Sequence, residues 1–385
     1  MDRIYFDNNA STILDPEVRV AMEQAACLFG NPSSIHEEGR RARRAVEEAR
    51  EEVARLIEAR PEEIFFTSGG TEANAMAIFG AADGGRIVTT GAEHPSVREP
   101  VAVLGRRGNP IEILPLEPDG RLDVEKSRAA ISMGAGLISV MAANNEYGGL
   151  YPVAAIAEAA REAEALCHTD AVQAAGRVPL SVEALGVDLL SLSAHKLHGP
   201  KGAGALYVRR GTRLAPHTPG GGQEKKLRAG TENTPALVGF GVAARLARTR
   251  RESDFPRLEA LRDRLEGAIL SRTPEARIAG AGAPRLPNTS AVLFPGVSGE
   301  ALAIRLDLEG VAVSVGSACS SGTVTASPAL LALGLSRDEA KSVVRFSLSR
   351  HSTLEEVERV AHLVPRLVAE ARAAGGRPLA SAVSE

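Results

Sequence analysis

No stretch of this chain is apolar for long enough to cross a membrane as a helix. The opening residues, Met1 to Asp7, lack the apolar run of a secretion signal. A membrane partner is therefore not expected, and the cytoplasm is the expected location. Charge of one sign is lacking too: 45 basic residues stand against 48 acidic ones, a net charge of -3. Nothing then draws the protein over long range to nucleic acid or to an anionic surface. Cysteine is scarce. Cys27, Cys167 and Cys319 lie far apart and fit neither a disulfide framework nor a metal site, so no metal is expected. Lysine is scarce as well, with only Lys126, Lys196, Lys201, Lys225, Lys226 and Lys341. A search for an amine that could bond a cofactor covalently thus has few candidates.

What is present is an ordinary globular composition, 44% hydrophobic and 24% charged over 385 residues. That length suits one large domain with a smaller one. Residues 37–59 carry Val46, Ala49, Val53 and Ile57 at helical spacing, with arginines and glutamates on the opposite face. Short apolar runs follow at 64–67, 86–90, 111–114, 137–142, 167–170, 189–193 and 205–208, separated by helical stretches such as 153–165. Strands that are apolar throughout and alternate with helices predict an α/β fold with a mainly parallel sheet covered on both faces. A polar, Gly-rich stretch at 216–231 interrupts the pattern. Beyond it an arginine-rich helix at 236–251 leads to further strands at 290–294, 311–314 and 344–347. A boundary near Ser253 is expected, giving a large domain over 15–252 and a small α+β domain from 1–14 with 253–385. The last residues, from Gly375, read as a loose tail.

Ser193-Ala194-His195-Lys196-Leu197-His198-Gly199-Pro200 places a lysine at the mouth of a buried strand. A lysine there is costly to desolvate, and one use for such an amine is a Schiff base with an aldehyde. A lysine reaching from a strand end to solvent is the plainer alternative. Asp170 ends another apolar strand and serves equally as a helix cap or as the partner of a protonated ring nitrogen. Thr67-Ser68-Gly69-Gly70-Thr71-Glu72 is a strand, a glycine turn and a helix start, which forms a cradle of N–H groups for phosphate. It matches neither a dinucleotide fingerprint nor a Walker A loop. Cys319 sits in Gly316-Ser317-Ala318-Cys319-Ser320-Ser321-Gly322. Its small polar neighbours suit an accessible nucleophile better than a packed thiol. Residues 317–328 are expected to be irregular and solvent-facing. Cys27 and Cys167 lie among apolar residues and read as inert core.

These segments resemble the cysteine desulfurases, within the class-V aminotransferase group of fold-type I enzymes that use pyridoxal 5'-phosphate (PLP). The resemblance runs from Tyr5-Phe6-Asp7-Asn8-Asn9 to about Thr353. It also takes in Ala92-Glu93-His94, Asn144-Asn145-Glu146, Thr169–Gln173, Gly220-Gly221-Gly222-Gln223-Glu224, Arg228–Asn233 and Arg345–Arg350. It implies that Lys196 bonds the PLP aldehyde, Asp170 pairs with the ring nitrogen and Gln173 bonds the ring oxygen. His94 would stack on the ring and shuttle protons. Gly70, Thr71, Ser193 and His195 would hold the phosphate, joined by Thr231 from the second subunit of a homodimer. Asn145 and Arg350 would clamp the substrate carboxylate, and Cys319 would receive sulfur from L-cysteine as a persulfide. A separate sulfur-acceptor protein, a scaffold or a thiolation enzyme, is the implied partner. A selenocysteine lyase, kynureninase or aminotransferase of the same group is the alternative. The chain departs from many relatives after Cys319, where Val324-Thr325-Ala326-Ser327-Pro328 replaces a Leu-Glu-Pro-Ser run, and in a C-terminus without an aromatic docking segment.

Overall fold

The structure is a computed structural model that describes residues 3–320 and 323–375. Its centre is a seven-stranded sheet. Across it run Ile64–Thr67, Gly204–Val208, Leu189–Ser193, Leu166–Asp170, Ala135–Ser139, Arg86–Thr90 and Ile111–Leu114, in that order. Only Gly204–Val208 runs against its neighbours; the remaining pairs are parallel. All residues of Leu189–Ser193 and Gly204–Val208 are buried. Such strands need cover on both faces, and the intervening helices supply it. The expected mainly parallel α/β sheet is thus the sheet found. The run expected at 137–142 starts earlier and leaves the ladder at Ser139. Residues Val140 and Ala142 still bond the adjacent chain, their N–H groups donating to His168 O and Asp170 O.

Local chemistry sets the helix ends. His36 caps Glu37–Leu56, its Nδ1 accepting from Gly39 N at 3.2 Å. The face carrying Ala42, Val46, Ala49 and Val53 is buried. Asn233 caps the long helix Thr234–Arg272, which passes without a break through Ser253. This helix packs on Pro16–Ala25 and Glu37–Leu56 beside the large sheet, and on Leu354–Gly375 beside a second sheet. The chain therefore passes from one sheet to the other inside a helix rather than through a linker. The second sheet is antiparallel, in the order Ser314–Val315, Val343–Ser347, Thr289–Leu293, Arg277–Ile278. Ile4–Tyr5 pairs in parallel with Val311–Ala312, and Asp7 bridges to Ser347.

The stretch around Cys319 is not irregular. Ser317–Ser320 pairs antiparallel with Thr323–Ala326, setting Cys319 opposite Val324. The β-branched run Thr323-Val324-Thr325 favours extended backbone, and this outweighs the small residues before it. Ser321 and Gly322, and the expected tail beyond Gly375, lie outside the described residues.

The Gly-rich stretch at 216–231 is held from beneath. Glu224, 3% exposed at its side chain, accepts both arms of Arg50 at 2.8 and 2.9 Å and also the Phe66 N–H at 2.9 Å. Glu224, Lys225 and Lys226 are consecutive left-handed residues, with φ of 43°, 52° and 70°, a conformation that costs free energy at each non-glycine. The buried pair offsets that cost. Glu224→Gln leaves the buried Arg50 guanidinium with only the half-exposed Glu47, at 3.1 Å, as a carboxylate partner among the described residues and is expected to lower the unfolding free energy by about 3 kcal/mol. Urea unfolding checks this; a change below about 1 kcal/mol, the value of an exposed pair, contradicts it.

Candidate active site

The carboxyl ends of the parallel strands open into a cavity of ≈400 Å³, where open α/β sheets bind ligands. Two neighbouring strands deliver their last, polar residue there. Asp170 ends Leu166–Asp170, and Ser193 ends Leu189–Ser193. One turn of 3₁₀ helix, Ala194–Lys196, carries His195 and Lys196 into the same space. Gly70 opens the helix Gly70–Ala81. A Cβ on it would meet Val172 Cγ2 at 2.8 Å, so any larger residue there would have to displace Val172. His94 caps Pro95–Arg106, its Nδ1 accepting from Ser96 N at 3.1 Å. Gly70, Thr71, His94, Asn145, Asp170, Gln173, Ser193, His195 and Lys196 all line this one cavity.

Lys196 Nζ donates to Ala10 O at 2.8 Å and to Asn9 O. Burial, then the positive charges of Arg177 and Arg345, bring its amine down to about 7 against the pull of Asp170 and Asp7. An amine that loses its proton near neutrality can attack a carbonyl. Asp170 is fixed on two sides: its Oδ2 accepts from Asn74 Nδ2 at 2.7 Å and its Oδ1 from Val172 N at 3.0 Å. Asn74 also donates to Ser96 Oγ at 2.8 Å, and Ser96 Oγ lies 2.7 Å from His94 Nδ1. A chain of bonds thus runs from Asp170 through Asn74 and Ser96 to His94. Because Nδ1 accepts from Ser96 N, the neutral ring carries its proton on Nε2. Burial favours that neutral ring, and Lys196 and Arg98 add to this against Asp170. His195, bonded to Ser11 Oγ at 3.2 Å, is held down to about 4 by burial and by Lys196, Lys201 and Arg177.

Two expected residues lie elsewhere. Arg350 does not line this cavity. It borders a separate one of ≈50 Å³ behind Lys196, with Nη2 on Leu197 O at 3.3 Å and Nη1 4.0 Å from Asp15. The backbone turns back after Leu348, with Ser352 N bonding Ser349 O, and carries Arg350 behind the lysine. The guanidinium beside Asn145 is that of Arg345, which the sequence reading missed. Arg345 donates to Asn145 O at 2.8 Å and to Asp7 Oδ1 at 2.6 Å, and its buried Nε has no partner among the described residues. A lone arginine in the otherwise apolar strand Val343–Ser347 was the available signal. Thr231 is exposed and away from the cavity of its own chain. The Cys319 side chain lies outside the described residues. Cys167 is buried, and burial pushes its thiol up. Cys27 is exposed rather than core, because the helix Pro16–Ala25 ends two residues before it.

The class-V aminotransferase family profile matches residues 4–360. A cysteine desulfurase of Cereibacter sphaeroides is 47% identical over 380 residues, covering 97% of each chain. The cysteine desulfurase NifS of Azotobacter vinelandii is 42% identical, over 97% of this chain and 94% of its own. A solved NifS-like protein superposes with a TM-score of 0.89 at 35% identity, over 96% of this chain and all of that one. The fold and the strand-end cavity define a PLP-dependent enzyme of fold type I. The chain belongs to the class-V aminotransferases and, among them, to the cysteine desulfurases.

The residues present fit PLP. The cavity has the size of a small-ligand site. It offers one amine poised near neutrality, one fixed carboxylate, and backbone N–H groups with hydroxyls beside a glycine that leaves room for phosphate.

Glu93, beside His94, is 2% exposed; its Oε1 accepts from Thr90 Oγ1 and Met141 N, and its Oε2 has no partner. Burial raises its carboxyl from 4.5 to about 8. The folded protein thus prefers the protonated form, so this group's contribution to stability falls as pH rises from 4.5 to about 8 and is then level. Relative to Glu93→Gln, the native protein is expected to lose unfolding free energy over that interval. Denaturant unfolding of both at its two ends reads this out, and a pH-independent difference contradicts it.

Proposed function

We propose that this protein is a cysteine desulfurase that converts L-cysteine to L-alanine and passes sulfur through a persulfide on Cys319. The single observation that carries the reading is the depressed Lys196 amine, lining one cavity with Asp170 in a chain that belongs to this family. When bound, PLP supplies an aldehyde for that amine and a ring that withdraws electrons from the substrate α-carbon. Asp170, steadied by Asn74, would hold a proton on the ring nitrogen. Gln173 would bond the ring oxygen and His94 would hold the ring. Gly70, Thr71, Ser193 and His195 would take the phosphate, with Thr231 of a second copy.

The substrate carboxylate goes to Asn145 and a guanidinium. Arg345 suits that task better than Arg350, because it lines the cavity together with Asn145, whereas Arg350 borders the separate small cavity. Lys196 Nζ removes the α-proton, and His94 Nε2 is placed to return protons. The Cys319 thiolate attacks the substrate sulfur. The new S–S bond forms as the substrate C–S bond breaks, and the electron pair left on carbon takes a proton to give alanine. No external oxidant is needed. Cys319 then hands its terminal sulfur to an acceptor protein of iron–sulfur cluster assembly or of cofactor or tRNA thiolation. The enzyme works as a cytoplasmic homodimer.

Cys319→Ala is expected to bind PLP like the native protein, yet to form alanine from cysteine slower by at least about 10³-fold, the scale seen when a nucleophile is deleted. Near-native alanine formation would move another class-V chemistry ahead. Light scattering at micromolar concentration is expected to give twice the chain mass of 40.3 kDa, and a monomer mass contradicts the shared site.

A further inference from the structure

Among the described residues, Arg177 is a guanidinium without a carboxylate. Its Nη1 donates to Gln173 O at 2.9 Å and to Gln173 Oε1, and its Nη2 donates weakly to Lys196 O at 3.4 Å and Asn8 O at 3.5 Å. All four acceptors are neutral. The charged group that acts on it most is another cation, Arg345. Part of its surface faces the ≈50 Å³ cavity behind Lys196, but protein otherwise encloses it, and desolvation draws it down to about 10. It is still a cation at neutral pH. An enclosed, unpaired charge is expensive, and fastening a few carbonyls needs no charge at all.

The position of Arg177 supplies a use for that cost. It bonds the Lys196 carbonyl from the side opposite the ligand cavity. Through Gln173, whose Nε2 donates to Asn9 O at 2.9 Å, it also meets the carbonyl that accepts from Lys196 Nζ. We infer that Arg177 is a positioning residue: its guanidinium, bonded to the Lys196 carbonyl and sharing the small cavity with Lys196, sets a positive charge behind the amine that weakens the amine's hold on its proton. Among the charges around Nζ it has the largest effect. Arg345 acts in the same direction, and Asp170 and Asp7 oppose both. The nearby imidazoles, His94 and His195, are neutral at neutral pH because burial lowers both. The purpose of this device rests on reading Lys196 as the cofactor-bearing amine; its measurement does not.

With six lysines in the chain, the test is direct. Cofactor-free protein is reductively methylated with ¹³C-formaldehyde, and the Lys196 resonance is assigned by its loss in Lys196→Arg. Its titration is then followed in native protein, Arg177→Gln and Arg177→Lys, each checked for folding by thermal melting. Arg177→Gln keeps a donor for the carbonyls and loses the charge; its Lys196 midpoint is expected to rise by about one pH unit or more. Arg177→Lys keeps the charge and loses the planar fork; its midpoint is expected to stay with the native protein. Either variant decides alone. An unmoved midpoint in Arg177→Gln, or a rise of about one unit in Arg177→Lys, overturns the inference and leaves Arg177 a mere fastener. Failure of the cofactor reading would show separately, as native protein that does not take up PLP whatever its Lys196 titration.

Discussion

The organisation of the site depends on one constraint: a lysine is kept in a desolvated place where its hold on a proton is weakened to near neutrality. Water would hold the proton on such an amine far above neutral pH. Here enclosure by the sheet ends and the positive charges of Arg177 and Arg345 outweigh Asp170 and Asp7. The same enclosure has consequences nearby. It keeps His94 and His195 neutral and Glu93 protonated. The cavity is thus a region where charged forms are disfavoured unless paired, and Asp170 is tied there by hydrogen bonds from Asn74 and Val172 N.

The segment from Tyr5 to Thr12 makes this enclosure possible. Asn9 donates to Thr289 Oγ1 at 2.9 Å and Asn145 O at 3.1 Å, while its own carbonyl receives Lys196 and Gln173. Asn8 donates to Ser347 O at 2.8 Å, and Thr12 Oγ1 donates to His195 O at 2.9 Å. Asp7 pairs with Arg345. One short stretch therefore joins the ends of the parallel sheet to the antiparallel sheet and closes the floor beneath the lysine. A break here would alter both the packing of the two sheets and the acceptors of Lys196, so stability and chemistry are coupled through the same few amides.

Much of this was legible in the sequence, for identifiable reasons. The strands Arg86–Thr90, Ile111–Leu114 and Leu189–Ser193 are short apolar runs bounded by polar residues, and the structure has them residue for residue. Lys196, Asp170, Gln173 and His94 stand at strand ends or helix starts, and one cavity gathers them. What the sequence did not show depended on pairing and turns that no local pattern reveals. Arg345 and Arg350 differ by five positions. Only the pairing of Val343–Ser347, which sets Arg345 opposite Ala291 and Ser314, and the turn after it decide which arginine reaches Asn145. Arg177 was invisible because its meaning lies in what it lacks, a carboxylate, and that shows only in three dimensions. The hairpin at Cys319 was hidden by serines and glycine that suggest a loop, although the returning strand is β-branched.

The central claim is that Lys196, and no other amine, bonds the cofactor. Native protein loaded with PLP, reduced with borohydride, digested and weighed by mass spectrometry tests it. The account predicts the pyridoxyl mass on Lys196, sited within its peptide by fragmentation, and not on Lys126, Lys201, Lys225, Lys226 or Lys341. The same label on another lysine, or no label on a protein that has bound PLP, would contradict it.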